Sequence, residues 1–280
     1  MLSLVYVSSR HQILSIQWLG NMQYFDTHAH IGLIHEDQIE QLLIIQRAKR
    51  AEVKHIVSIC NSLGDFFQIY DNLKTAANVY HAVGVSPSEV ANPGLDWEDK
   101  IRKGADLDRV VAIGEIGLDY YRKFGDKKSQ IELFIRQIDM ANSLGLPIII
   151  HNREAGEDIM SILRDRPIDK GGILHCYSED WNYAKKAIDM NLYVSFAGNV
   201  TYRNAKNLHE TAARLPLDRI LIETESPFMV PSRYKGKRNK PAYLSEVAEA
   251  IAEIRDQPIE VVADALYENS LRIFNLPADA

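Results

Sequence analysis

Two histidines near the start of the chain are spaced so that both could bind one ligand. His28 and His30 end a short stretch, residues 24–30, that the pattern predicts to be a strand. Because successive side chains of a strand point to opposite faces, residues two apart share a face. Two imidazoles on one face at a strand end are typical of half a metal site, although a chance pair in an edge loop has the same spacing.

Further imidazoles and carboxylates stand at the ends of later apolar runs. Each has an ordinary structural explanation alone: a solvated strand end for Glu115, and a packed core histidine for His151 or His175. Their joint placement at the same end of different predicted strands favours a metal centre. The whole set is His28, His30, Glu115, His151, His175, Glu223 and Glu225.

The types and number of these side chains restrict the metal. Imidazole and carboxylate together suit divalent Zn, Mn, Co or Mg and not a thiolate site. Five or six ligands are too many for one tetrahedral ion and suit two ions about 3.5–4 Å apart, bridged by a carboxylate and a water. Such a pair would activate water for hydrolysis. We interpret the other histidines as structural or surface residues: His11, His35, His55, His81 and His209.

The elements that must position these residues are short apolar strands alternating with helical patterns. Continuous apolar runs such as IVSI, VVAI and III are typical of strands buried on both faces. They predict an α/β fold, a single-domain (β/α)8 TIM barrel over residues 22–280, in which all strand ends meet at one mouth. A doubly wound sheet is disfavoured because no glycine-rich phosphate loop follows the first strand. The strands are predicted at residues 24–30, 54–60, 79–85, 109–115, 147–151, 172–175, 192–196 and 219–223.

Composition bounds the class of protein. The chain has 280 residues, 46% hydrophobic and 25% charged, as in a soluble globular protein with a full core. The net charge of −6 argues against a protein that coats nucleic acid but allows a local basic site. Cys60 and Cys176 form neither a disulfide framework nor a zinc signature, which predicts a cytoplasmic protein. The chain has no run of about 20 apolar residues, so we expect no membrane contact. Residues 1–21 are predicted to be an extension outside the core, neither signal peptide nor anchor.

The motifs at the strand ends together resemble the TatD family of metal-dependent deoxyribonucleases, which belongs to the amidohydrolase-like barrels. The similarity runs in order through about residues 23–276. It implies two divalent metal ions per chain and hydrolysis of DNA, including exonuclease action on single strands. The motifs are FDTHAH at 25–30, GEIGLDY at 114–120, PIIIHNREA at 147–155, HCYS at 175–178, IETESP at 222–227 and GKRNKPA at 236–242.

The resemblance also implies roles for individual residues. Glu115 would bridge the two ions, and Glu225 would be both a ligand and the general base, so both are expected to be catalytic. The resemblance places one ion on His28, His30 and Glu225, and the second on His151, His175 and Glu115.

The chain departs from the family pattern at two positions. The family usually has Asp where Glu225 stands, and Glu is longer by one C–C bond, about 1.5 Å. The family often has His where Ser86 stands, which puts substrate preference in doubt. Two alternatives therefore stay open: an amide or ester hydrolase of the amidohydrolase type, and a binding protein with a weakly active relict site. Amidohydrolases often bridge their metals with a modified Lys at the position where this chain has Glu115. Glu225, in place of the family's Asp, is the feature that favours a binding protein with a relict site.

Expected substrate contacts lie beside these ligands. The basic run 233–240 follows the eighth strand, and Lys237 and Arg238 are expected to bind a phosphate backbone, although such a run is usually a solvated face. Arg153 could bind phosphate or pair with a neighbouring glutamate. Tyr120 could stack on a base or cover the barrel rim, and Glu223 is included with the substrate-binding residues. We expect a DNA strand end as substrate, and a monomer.

Overall fold

The computed structural model describes residues 22–278, so the predicted extension at residues 1–21 lies outside the described residues. Eight parallel strands follow one another around the sheet in chain order, which confirms the predicted barrel. The strands are β1 (Tyr24–Ala29), β2 (Val53–Ser58), β3 (Val79–Val83), β4 (Val110–Asp119), β5 (Ile148–Arg153), β6 (Gly172–Leu174), β7 (Leu192–Phe196) and β8 (Ile220–Ile222).

Helices alternate with the strands and surround the barrel, each packing an apolar face against it. A short first helix that the sequence pattern did not predict begins directly after His30. The helices are α1 (Ile31–Ile34), α2 (Gln38–Arg50), α3 (Leu63–Leu73), α4 (Trp97–Ala105), α5 (Lys127–Leu144), α6 (Gly156–Asp165), α7 (Trp181–Asp189), α8 (Lys206–Arg214), α9 (Ser245–Arg255) and α10 (Ile259–Ile273).

The barrel interior is filled by apolar side chains contributed by successive strands. At one end, α10 joins this cluster: the Phe274 ring lies 5.6 Å from that of Phe25, and the Tyr267 ring 6.4 Å from it. An interior packed in this way leaves the other end of the barrel as the place for a site. The strand side chains of this cluster include Phe25, Val57, Ala82, Val111, Ile149, Ile173, Tyr193 and Leu221.

The barrel closes between β1 and the segment that follows β8. The amide of His30 donates to the Ser226 carbonyl at 2.9 Å, and the amide of Glu225 donates to the His28 carbonyl at 2.9 Å. Ala29 and Ser226 form a parallel bridge. The closing bonds therefore involve the same residues that carry candidate ligands, which fixes their backbones side by side.

Two strands are longer than the sequence pattern predicts. β4 runs on to Asp119, so that Glu115 lies inside the strand and not at its end, and β5 runs two residues past His151. Among the described residues, no helix has both the length and the apolar content needed to cross a membrane.

The histidines predicted to be structural lie away from the mouth or on the surface. His55 and His81 are buried in β2 and β3, and the His81 ring lies 5.0 Å from that of Tyr70. His35 is exposed, and the Nε2 atom of His209 lies 2.8 Å from the Val200 carbonyl oxygen. His11 lies outside the described residues.

Candidate metal centre

The two histidines of the first strand converge on one point. The Nε2 atoms of His28 and His30 are 3.2 Å apart, and both side chains are buried. Glu225 approaches the same point from beyond β8, with its Oε2 atom 3.2 Å from Nε2 of His28 and 3.6 Å from Nε2 of His30. We call these three residues the first cluster.

Two further histidines, from β5 and from the end of β6, form a second cluster with Glu115. The Nδ1 atom of His151 lies 2.5 Å from Oε1 of Glu115, and Nε2 of His175 lies 3.1 Å from the same oxygen. The two histidine nitrogens are 3.4 Å apart. The predicted ligands from strands four, five and six therefore meet at one place.

Glu115 stands between the two clusters and faces both. Its Oε1 atom belongs to the second cluster, whereas its Oε2 atom lies 3.7 Å from Nε2 of His28 and 3.8 Å from Nε2 of His30. One carboxylate thus presents one oxygen to each histidine pair. This is the arrangement that a carboxylate bridging two cations requires.

Unpaired atoms in this region support the fit to cations. The Oε2 atom of Glu223 is buried and has no hydrogen-bond partner in the described part of the chain, and the buried Oε2 atom of Glu225 faces the imidazole nitrogens of the first cluster. A buried carboxylate oxygen without a partner is costly, and a divalent cation would satisfy it. The donor atoms of three groups lie close enough to hold an ion: His28, His30 and Glu115; Glu115, His151 and His175; and His28, His175, Glu223 and Glu225.

The outer nitrogens of the second cluster each contact a second carboxylate. The Nε2 atom of His151 lies 3.2 Å from Oδ2 of Asp119, and Nδ1 of His175 lies 3.3 Å from Oε1 of Glu223. Such outer partners fix the orientation of a histidine ligand and its tautomer. The Cys176 amide also donates to Oε1 of Glu223 at 2.8 Å, which holds that carboxylate in place.

Asp119 was not among the residues predicted from the sequence. The pattern ended the fourth strand at Glu115, whereas the strand continues to Asp119, whose side chain contacts His151. The available signal was its position inside the GEIGLDY motif, four residues after Glu115.

Asp26 is a second residue that the sequence analysis missed. It is buried, and it accepts hydrogen bonds from the Thr224 amide at 2.9 Å and the Thr224 hydroxyl at 2.6 Å. Burial raises the pKa of Asp26 to about 7, although these hydrogen bonds oppose the rise. Asp26 thereby ties β1 to the segment that carries Glu225.

The electrostatics of the two clusters differ. Burial, and then the neighbouring His175 and His30, lowers the pKa of His28. Burial also acts against protonation of His151, but the charge of Glu115 and the hydrogen bond of Asp119 outweigh it and raise the pKa of His151 to about 9. The pKa of His175 is raised in the same way by Glu115, against the effect of burial.

The structure shows the backbone conformation and contacts of the two residues that depart from the family pattern, Glu225 and Ser86. Glu225 has a φ of 55°, a left-handed conformation that Asp and Asn adopt more readily than Glu. Its longer side chain still reaches the histidines of the first cluster. Ser86 is buried, and its hydroxyl lies 2.6 Å from that of Ser88. The position where the family often has an imidazole is thus occupied by a small side chain that already has a hydrogen-bond partner.

The five expected substrate contacts fall into two groups. Arg153 lies over the Tyr121 ring at 4.0 Å, and Lys237 lies 5.6 Å from the Tyr234 ring; neither forms an ion pair within residues 22–278. The other three already have protein partners. Tyr120 donates to Asp158 at 2.7 Å, Arg238 donates to the Leu33 and Ile34 carbonyls, and the fully buried Glu223 contacts His175.

Comparison with known proteins places this site in a family. The family model described as TatD related DNase matches residues 25–275. The uncharacterized metal-dependent hydrolase YabD of Bacillus subtilis is 38% identical over 257 residues, covering 90% of this chain and 99% of YabD. The uncharacterized metal-dependent hydrolase YcfH of Escherichia coli K12 is 37% identical over 259 residues, covering 90% and 96%. The crystal structure of YjjV, a TatD homolog from Escherichia coli K12, superposes with a TM-score of 0.85 at 26% identity, covering 91% and 99%.

Proposed function

Because the chain belongs to the family of TatD-related DNases and is a metal-dependent hydrolase, we propose that it cleaves phosphodiester bonds at the ends of single-stranded DNA. The observation that carries the proposal is the position of Glu115, with one oxygen toward each histidine pair. A site built in this way suits displacement at phosphorus, in which an attacking and a leaving oxygen must both be stabilised.

In this proposal the first cluster and the second cluster each hold one ion, and Glu115 contributes to both. Two divalent cations (Mg, Mn, Zn or Co) bound there would lower the pKa of a water and polarise the phosphodiester. The side chains of Asp119 and Glu223 keep the rings of His151 and His175 turned toward Glu115. The protein therefore supplies a rigid set of donors before substrate arrives.

Glu225 is proposed to take the proton of the attacking water. Its side chain is 13% exposed, more than those of His28 and His30, and its Oε2 atom lies 3.2 Å from Nε2 of His28. The water oxygen bonds to phosphorus, the bond from phosphorus to the leaving oxygen breaks, and that oxygen takes up the proton that Glu225 accepted from the water. A carboxylate within reach of the water performs this transfer as a general base.

Arg153 and Lys237 are proposed to bind the phosphates that flank the cleaved bond. Both carry charges that no ion pair within residues 22–278 neutralises. Arg153 is the last residue of β5, the strand that carries His151, and Lys237 lies in the segment after β8 that also carries Glu225. On a chain with a net charge of −6, such a local pair suits a strand end better than a long duplex.

The test is a cleavage assay on single-stranded oligonucleotides labelled at either end, with added Mn²⁺, Mg²⁺ or Zn²⁺ and with EDTA. We expect metal-dependent shortening from one end, abolished by EDTA and in Glu115→Gln. A panel of carboxylic esters and amides is run beside it with the same metals. Hydrolysis of that panel with no cleavage of any DNA would overturn the proposal.

A further inference from the structure

A cavity of about 290 Å³ opens beside the first cluster. We propose that it binds the base of the nucleotide at the end of the substrate strand and prefers a base with an exocyclic amino group. This inference rests on the proposed function and adds a substrate preference to it. His30 forms part of the cavity wall, so a group bound there lies next to the metal centre.

The size and walls of the cavity suit a flat heterocycle. Its volume is near the lower end of the range for small-molecule sites, about 300–1,000 Å³, so it admits a base more readily than a longer segment. Leu33 from α1, Ile59 after β2 and Ile69 from α3 provide apolar surface. Such surfaces pack against the face of a nucleobase, which is apolar whatever its identity.

The polar side chains of the cavity are free to read the edge of a base. Asn61 and Gln68 contribute amides whose side chains have no hydrogen-bond partner among residues 22–278. Each amide offers both donors and an acceptor. Asn and Gln make paired hydrogen bonds with adenine through this combination.

Two carboxylates give the cavity its preference. Glu36 forms no ion pair in the described part of the chain, and Asp65 accepts from the Ser62 hydroxyl with only one of its oxygens, at 2.9 Å. An ionised carboxylate only accepts hydrogen bonds, so it pairs with an amino group such as N4 of cytosine. Thymine presents carbonyl oxygens where cytosine and adenine present amino groups, and is disfavoured.

The same carboxylates argue against a phosphate in this cavity. No Lys or Arg is among the residues that line it, and two negative charges repel an anion. Arg238, which lies near its outer side, already donates to the Leu33 and Ile34 carbonyls. Arg153, the last residue of β5, and Lys237, in the segment after β8, form no ion pair among residues 22–278 and do not line this cavity. The base and the phosphates thus have separate places at the mouth.

The experiment compares three substrates: dCpdC, dTpdT and bis(p-nitrophenyl) phosphate, which has no base, all with Mn²⁺. For the wild type we expect kcat/KM for dCpdC to exceed that for dTpdT about tenfold, within the range that a good base contact supplies. Glu36→Gln combined with Asp65→Asn replaces both carboxylates with amides of similar shape and should bring this ratio close to one. Gln68→Trp fills the cavity and should lower the ratio of dCpdC to bis(p-nitrophenyl) phosphate hydrolysis about tenfold or more.

The matched control is Gln46→Trp, the same change at an exposed position on α2, which should leave both ratios unchanged. Equal wild-type rates for dCpdC and dTpdT, or ratios that Gln68→Trp does not alter, would overturn the inference.

Direct measurement of nucleoside binding separates failure of the proposed function from failure of the proposed base preference. If the wild type hydrolyses none of the three substrates, the proposed function fails, and calorimetric titration with cytidine and thymidine decides the cavity alone. Saturable cytidine binding, tighter than thymidine binding and lost in Gln68→Trp, supports the inference. No cytidine binding, or equal binding of the two nucleosides, contradicts it.

Discussion

The two histidine pairs of the metal centre are held in different ways. His151 and His175 each lie between Glu115 and a second carboxylate, from Asp119 or Glu223. The Nδ1 atoms of His28 and His30 have no hydrogen-bond partner within the described residues, and these rings are placed by backbone bonds at the barrel closure. Outer carboxylates orient a ligand and raise its basicity. The second cluster is therefore the more preorganised position, and we expect it to bind its ion more tightly.

The largest effect is expected where the two clusters meet. Glu115→Ala removes the carboxylate that faces both pairs, so it should reduce metal content at both positions and lower hydrolysis by about 10²–10³-fold or more. Metal analysis after gel filtration, beside kcat/KM on an oligonucleotide, measures both effects. Loss of one ion with the other fully retained would show that Glu115 serves a single cluster.

Removing an outer carboxylate should weaken metal binding at one cluster and not at the other. Glu223→Gln keeps the size of the side chain but weakens its hold on His175, and should lower affinity for the second ion by about 10–100-fold with little change at the first. A two-site calorimetric titration resolves the two affinities. Asp158→Asn, at the carboxylate bonded to Tyr120, is the matched control and should change neither. Equal weakening at both positions would contradict the comparison.

Shortening Glu225 should act on the first cluster alone. Glu225→Asp retracts the carboxylate by about 1.5 Å from a position 3.2 Å from His28, so affinity for the first ion and hydrolysis should both fall. Asp relieves some of the left-handed backbone strain at this position, which limits the fall to about tenfold. A strong rise in hydrolysis from a wild type that is almost inactive would instead support a relict site.

The smallest expected effect is a difference between the two clusters in the number of protons released when a metal ion binds. With a pKa raised to about 9, His151 carries a proton at pH 7 in the metal-free protein, and ligation must displace it. Affinity at the second cluster should therefore rise with pH up to about 9. In the first cluster His28, whose pKa is lowered, is neutral at pH 7 and releases no proton, whereas the burial of His30 is outweighed by its hydrogen bond to Glu225, which raises the pKa of His30. We therefore expect fewer protons to be released at the first cluster than at the second, where the pKa values of both histidines are raised. Titrations in buffers of different ionisation enthalpy count the protons, and equal release at both positions would contradict this assignment.

The sequence was sufficient to predict the barrel and the convergence of six side chains at its mouth, for a physical reason; their role as ligands stays a prediction. Each of these residues stands at or near the end of an apolar run, and the ends of parallel strands converge. It was insufficient for Asp119, because an apolar run does not reveal that β4 continues past Glu115. The contacts of Arg238 with α1 depend on how a loop after β8 folds back, which local pattern does not encode.

The most direct test of the binuclear centre is anomalous scattering from a crystal of the protein soaked in Mn²⁺. We expect two peaks per chain, about 3.5–4 Å apart, one beside each oxygen of Glu115. At a limiting Mn²⁺ concentration, the peak between His151 and His175 should appear first. A single peak at saturation, or two peaks neither of which contacts Glu115, would contradict the binuclear centre.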